Sequence, residues 1–100
     1  MTTDPTFHMT VEDVFSIRNR GTVVTGRIET GTLKVGDQVV IKGRSGEKTT
    51  TVTGIEAFRK ALDRANPGDN VGLLLKDLTK QDVQQGDEIL SPDTDFTWKP

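Results

Sequence analysis

The sequence contains no cysteine, which excludes disulfide bonds, thiolate metal ligands and thiol nucleophiles. It has no apolar run approaching the roughly 18–20 residues that a membrane-spanning helix needs. Its first ten residues, MTTDPTFHMT, carry neither the basic nor the apolar region of a secretory signal. These absences favour a cytoplasmic protein that has no membrane partner.

Motifs for nucleotide hydrolysis and for other common catalytic sites are also missing. Neither a G-x-x-x-x-G-K-[ST] phosphate loop nor an Asn-Lys-x-Asp motif occurs, so the chain has no place for a guanine nucleotide and its Mg²⁺. The single histidine, His8, lies near the N-terminus, and Glu12 and Asp13 have no histidine partner to complete a metal or acid–base site. We therefore predict a non-enzymatic domain without catalytic residues, metal or other cofactor, and without specific GTP or GDP binding.

Length and charge narrow the remaining possibilities. One hundred residues make one domain with a modest core. The net charge of −2 conceals a segregation, because residues 18–64 hold ten Lys or Arg against five Asp or Glu, whereas the other residues hold three against ten. A basic middle is suited to meeting phosphate with one face. The same charges are also typical of solvated strands and loops, and on charge alone that interpretation is the more common one, although both stay open.

Hydrophobic alternation predicts short β-strands along the whole chain. Residues 11–17 and 22–28 are rich in β-branched and apolar side chains and flank Asn19 and Gly21, which tolerate positive φ, so they predict a β-hairpin. Further strands are predicted at 38–42, 48–52, 53–63 with a bulge near Gly54, 70–76 and 88–90, with a helical turn at 77–85. Six or seven short strands at this spacing are typical of a small closed barrel, which also removes exposed sheet edges.

Alternation also predicts which side chains face outward. Val24, Gly26 and Ile28 share an apolar face of their strand, so Val23 and Thr25 lie on the opposite face. In the strand at 70–76 the outward residues are Asn70, Gly72 and Leu74.

Six blocks of sequence follow one another in a fixed order: VEDVFSI at 11–17, RGTVVTGR at 20–27, KVGD at 34–37, TGIEAFRK at 53–60, GDNVGLLL at 68–75 and QGDEIL at 85–90. Together they resemble domain 2 of elongation factor Tu. The resemblance covers roughly residues 9–92 and implies the six-stranded antiparallel Greek-key closed barrel of the translational GTPases. The predicted organisation is a single barrel at residues 7–92 between flexible ends at 1–6 and 93–100.

The resemblance also implies an RNA site, because in this family the domain holds the aminoacylated 3′ end of tRNA. Ile17, Val23 and Leu74 match the apolar walls of the pocket for the terminal adenine. Glu56 matches the group at the edge of that base, and Arg59 a position near the ester and the terminal phosphate. The positions bordering the aminoacyl group are Glu12, Asp13, Phe15, Thr25 and Asn70. These residue types suit the task, since a base can lie on aliphatic walls while a polar group reads its edge.

Two features depart from the family pattern. Asn19 stands where the family usually has glycine, and Arg18 precedes it, so a side chain there either obstructs the pocket or adds a hydrogen bond. The GTP-binding and third domains, which supply the other walls in the family, have no counterpart here, so we expect weak affinity for an aminoacylated end. The chain resembles a stand-alone domain 2; the alternative is an excised fragment of a longer factor.

Several candidate residues also have a purely structural interpretation. Phe15 and Phe58 are expected to pack rather than to stack on bases, and Glu56 and Arg59 are candidates for a cross-strand ion pair. Two function classes therefore remain. The first is a monomeric, translation-related module that binds aminoacyl-tRNA 3′ ends or related RNA. The alternative is a protein-interaction domain that docks on a translational GTPase or a ribosomal partner.

Overall fold

The computed structural model describes residues 6–44 and 46–92, so the predicted flexible ends lie, apart from Thr6, outside the described residues. The strands are β1 (His8–Thr10), β2 (Asp13–Ile17), β3 (Gly21–Thr30), β4 (Leu33–Lys34), β5 (Gln38–Gly43), β6 (Gly46–Ala57), β7 (Lys60–Leu62), β8 (Arg64–Ala65), β9 (Asn70–Leu75) and β10 (Glu88–Leu90). Within the described ranges there is no helix that could span a membrane.

Six of these strands close an antiparallel barrel, which confirms the predicted fold class. Around the ring, β1 pairs with β10, β10 with β5, β5 with β6, β6 with β9, β9 with β3, and β3 with β1. The connections from β3 to β5 and from β9 to β10 join strands that are not neighbours in the ring, as in a Greek key. β2 and β7 extend the wall by pairing with β3 and β6, and β4 and β8 form a separate ribbon.

The hairpin of β2 and β3 has the backbone that its turn residues predict. The carbonyl of Ile17 accepts the N–H of Arg20 at 2.9 Å, which closes the loop between the strands. Asn19 has a φ of 67° and Gly21 a φ of 104°, conformations that asparagine and glycine adopt more readily than other residues. Asn19 in place of glycine therefore preserves the turn.

Inward alternation builds the core of the barrel. The buried apolar side chains are Phe7, Met9, Val11, Val24, Ile28, Leu33, Val39, Ile41, Val52, Ile55, Ala65, Val71, Leu73, Leu75, Val83 and Ile89. Burying one large apolar side chain contributes about 1.5–3 kcal/mol, so these residues supply most of the driving force for folding. On β6 the register shifts between Val52 and Gly54, which is the bulge predicted near Gly54.

The segment 77–85 forms consecutive turns, and the described residues contain no helix, so the helical turn predicted there is wrong. Local side-chain hydrogen bonds replace helical ones. Asp82 Oδ2 accepts the N–H of Thr79 at 2.9 Å, and Asp87 Oδ2 accepts the N–H of Gln84 at 2.8 Å. Asp and Thr side chains of this kind compete with the helical backbone pattern. Turns also allow Val83 to plug the core, where it is 1% exposed.

The barrel closes where β1 crosses β3, and Gly26 is the point of closest approach. A Cβ atom at position 26 would collide with the carbonyl oxygen of Thr10 and with the side chain of Met9. Met9 is fully buried and pairs with Ile28, so it cannot move aside without disturbing the seam. Only glycine allows this approach.

We expect Gly26→Ala to lower the free energy of unfolding by about 2–3 kcal/mol, because overpacking costs about 1–3 kcal/mol and part of the obstacle here is backbone. Urea unfolding followed by far-UV circular dichroism measures this loss. Gly36→Ala is the control, since position 36 has a φ of 100° but nothing within 4 Å of a new Cβ. It should cost only about 1 kcal/mol. Equal losses in the two variants would contradict the close approach at Gly26.

Candidate nucleic-acid interface

The candidate residues lie mainly on the outer face of β2, β3, β9 and β6, where the strand register aligns side chains in rows. One row consists of Phe15, Val23, Leu74 and Gly54, each paired with the next across neighbouring strands. The second row consists of Asp13, Thr25, Gly72 and Glu56. Residues two apart on a strand share a face, so both rows belong to one surface. We call this surface the outer face.

A groove of about 320 Å³ lies along the second row. Its lining residues are Glu12, Thr25, Gly26, Glu56, Ala57, Asn70, Val71 and Gly72. Gly72 pairs with Thr25 on one side and with Glu56 on the other, and its missing side chain leaves space between them. The structure thus brings four predicted contact residues to one groove: Glu12, Thr25, Asn70 and Glu56.

Apolar side chains of the first row form a floor beside the groove. Val23 is 6% exposed and Leu74 is 8% exposed, although both face outward and lie outside the core cluster. They pair across the strands, and Leu74 also lies against Gly54, where a Cβ would come within 3.1 Å of Leu74 Cδ1. Phe15 and Ile17, at the β2 margin, are 48% and 37% exposed. The apolar side chains of the outer face are therefore packed at its centre and exposed at its β2 margin.

An ion pair crosses the outer face from the β2–β3 loop to β6. Arg20 Nη2 contacts Glu56 Oε2, so the structure pairs Glu56 with Arg20 rather than with Arg59. The side chain of Arg20 is 45% exposed and that of Glu56 is 37% exposed, so solvent screens their attraction. A pair of this kind contributes about 0–1 kcal/mol to stability. Its larger effect is to hold the Glu56 carboxylate in one position at the groove.

Arg59 lies apart from the groove lining, in the turn that joins β6 to β7. It has a φ of 66°, and Phe58 before it has a φ of 53°. The prediction that Phe58 packs is wrong, because its side chain is 92% exposed at the tip of this hairpin. Phe15 is about half exposed, so it packs only partly. Arg59 is close to the groove in sequence, because Glu56 and Ala57 line the groove. Arg59 itself is not one of the lining residues.

The basic side chains of the β5–β6 hairpin, on another part of the barrel wall, are partly compensated by carboxylates. Lys42 Nζ lies 3.7 Å from Glu47 Oε2, and Lys48 Nζ lies 3.4 Å from Asp82 Oδ1. The backbone N–H of Thr79 lowers the pKa of Asp82, and Lys48 acts in the same direction, which keeps this carboxylate charged. The basic middle of the sequence therefore does not form one uninterrupted positive face here.

Sequence reasoning missed five residues of the groove and its ion pair, namely Arg20, Gly26, Ala57, Val71 and Gly72. Alternation did turn Gly72 outward, and a glycine inside a predicted strand is a signal that a ligand or another backbone approaches closely. Arg20 gave no comparable signal, because its partner Glu56 is 36 positions away in the sequence.

A sequence model of the family described as Elongation factor Tu domain 2 matches residues 21–90. The matched region runs from the start of β3 to the end of β10 and includes every lining residue of the groove except Glu12.

The coupling free energy between Arg20 and Glu56 can be measured with a double-mutant cycle of Arg20→Ala and Glu56→Gln. We expect a coupling free energy of about 1 kcal/mol or less, because both side chains are partly exposed. Urea unfolding of the two single variants and the double variant provides the value. The Lys42–Glu47 pair is the control, since it is longer and more exposed and should give a coupling near zero. A coupling well above that limit would mean that the pair is buried in solution.

Proposed function

The chain belongs to the elongation factor Tu domain 2 family, and we propose that it is a non-enzymatic, translation-related module that binds the 3′ end of RNA, with aminoacyl-tRNA as the first candidate ligand. Domain 2 of elongation factor Tu is a non-catalytic barrel. The proposed module works as a monomer in the cytoplasm, without a cofactor.

The observation that carries this proposal is the groove beside the Val23–Leu74 pair, with Glu56 on its lining. A nucleobase has two apolar faces and a polar edge, so it needs a flat aliphatic wall and a hydrogen-bonding group at its side. Val23 and Leu74, which are 6% and 8% exposed, offer a narrow strip of such a wall. The carboxylate of Glu56 accepts hydrogen bonds, as the exocyclic amino group of adenine requires.

The Arg20–Glu56 ion pair supports this arrangement from the opposite side. Arg20 holds one carboxylate oxygen of Glu56, which leaves the second oxygen available to a base. The guanidinium also lies above the outer face as a cation, and an arginine plane can stack on a base or contact a phosphate. Arg20 therefore joins the proposed site although it was not predicted from the sequence.

The aminoacyl group is proposed to lie along the groove between Glu12, Thr25 and Asn70. These residues offer a carboxylate, a hydroxyl and an amide, and the groove floor between them is glycine at positions 26 and 72. Such a lining can form hydrogen bonds with the α-amino group and the ester of an aminoacyl group, and these bonds do not depend on which amino acid is attached. Asp13 and Phe15 border this region at β2.

A second candidate function is protein docking, and the exposed apolar margin of β2 favours it. Phe15 and Ile17 are both partly exposed on one face of this strand. Within the described part of the chain, β2 has a paired strand on one side only, β3. A translational GTPase or a ribosomal partner could cover this margin, and the same would hold if the chain were a piece of a longer factor.

We expect Arg59→Ala to weaken binding of a short CCA-ended RNA by about 1–3 kcal/mol, because the variant loses a charge-assisted contact. Folding should change little, since Arg59 is exposed in a turn. Amide chemical shifts followed during the RNA titration give both the affinity and the surface. Lys34→Ala is the matched control and should bind normally. Shifts clustered on Lys34, Lys42, Arg44 and Lys48 would instead indicate nonspecific charge, and no shifts would favour protein docking.

Filling the groove is an independent test. A Cβ at position 72 would lie 3.3 Å from Val23 Cγ1, which a small side-chain movement can relieve, so Gly72→Ala should change stability by no more than about 1 kcal/mol. The added methyl group occupies the space between Thr25 and Glu56, and we expect RNA affinity to fall several-fold. Isothermal calorimetry and urea unfolding report the two quantities. Unchanged affinity in a folded variant would exclude the groove as the binding site.

A further inference from the structure

The tip of the β6–β7 hairpin combines a backbone conformation and a side chain that do not suit each other. Ala57 pairs with Lys60, so the connecting turn consists of Phe58 and Arg59 alone. Both have positive φ, at 53° and 66°. Turns of this type favour asparagine and glycine at these positions, and a bulky aromatic residue there is strained.

Burial does not compensate for this strain. The side chain of Phe58 is 92% exposed, the most exposed large apolar side chain in the described part of the chain. Asn19, by contrast, occupies a similar conformation with a residue type that tolerates it. Backbone strain that packing does not offset is concentrated at functional sites, such as those that bind a ligand.

Basic residues are close to Phe58 in the sequence. Arg59 and Lys60 follow Phe58 directly, and Arg64 lies on the neighbouring short strand β8. No salt bridge among the described residues involves Arg59 or Lys60. The tip therefore presents one aromatic face with uncompensated positive charge beside it. Proteins that bind single-stranded nucleic acid combine aromatic platforms and cations in this way.

We propose that Phe58 is a stacking platform for a second base of the bound RNA, next to the nucleotide held in the groove. This inference rests on the proposed function. The chain continuity supports it, since Ala57 lines the groove and Phe58 follows it immediately. Arg59 and Lys60 contact the phosphates on either side of the stacked base. Because stacking does not depend on the identity of the base, Phe58 adds affinity for single-stranded RNA without adding sequence preference.

RNA fits this tip better than a protein pocket does. An aromatic anchor in a protein interface is normally surrounded by groups that exclude water, and charged residues are depleted at the interface centre. Here two basic residues follow Phe58 directly, and desolvation of their charges in an apolar pocket would oppose docking. A polyanion gains from the same charges.

The decisive variant is Phe58→Asn, because asparagine suits the left-handed conformation and cannot serve as a stacking platform. We expect its melting temperature to equal or exceed that of the unmodified protein, since the strain is relieved. Its affinity for an eight-nucleotide single-stranded RNA ending in CCA should fall by roughly tenfold or more, as loss of one stacked base does. Phe58→Trp should retain the affinity. Val35→Ala removes another exposed apolar side chain, 45% exposed and on the β4–β5 connection, and should leave affinity unchanged.

The outcomes separate this inference from the proposed function. Normal RNA affinity in a folded Phe58→Asn variant would overturn the stacking role, while groove shifts in the same titration would leave the proposed function standing. A marked fall in melting temperature would show that Phe58 serves the fold, which also overturns the inference. If the unmodified protein binds none of this RNA, the proposed function fails and the stacking role fails with it.

Discussion

Closure of the barrel by β1, whose backbone pairs with β3 on one side and with β10 on the other, is the constraint on which the rest of the structure depends. The seam brings Thr10 and Met9 against Gly26, so a short strand near the start of the chain locks the middle and the end together. Each barrel strand can then direct one face into a shared core. The opposite faces of the strands become the outer surface, and the register of the strand pairs also sets the rows of side chains on that surface.

The groove and the aliphatic floor of the outer face are formed by small residues in the strands, and not by a separate binding element. Gly72 and Gly54 lie in adjacent rows, and each leaves a gap beside a larger neighbour. Leu74 fills the gap at Gly54, which gives a packed aliphatic floor, whereas the space above Gly72 stays open as the groove. A rigid barrel wall therefore presents a preorganised surface, and preorganisation reduces the entropy that a ligand must lose on binding.

The charged groups of this surface matter more for where they lie than for how much they stabilise the fold. The Arg20–Glu56 pair is too exposed to stabilise the fold much, yet it holds a carboxylate at the groove, where we propose that the edge of a base binds. Lys42 and Lys48 of the β5–β6 hairpin contact carboxylates within the protein, whereas Arg59 and Lys60 at the β6–β7 tip form no salt bridge with any residue that the structure describes. The placement of these partners, and not the total charge of −2, decides where a polyanion is attracted.

The sequence by itself determined most of the longer β-strands, the hairpin at Asn19 and Gly21, the bulge near Gly54 and the family, because alternation and turn chemistry are local. It also turned Val23, Thr25 and Leu74 outward correctly. The single strand predicted at 53–63 is wrong, since the chain reverses at Phe58 and Arg59 between β6 and β7. Three features needed the tertiary structure: the Arg20–Glu56 pair, the turns in place of a helix at 77–85, and the exposed Phe58. Each depends on which strands become neighbours when the barrel closes, or on what the closed barrel leaves uncovered. Local periodicity contains no information about either, since pairing across 36 residues is decided by packing of the whole core.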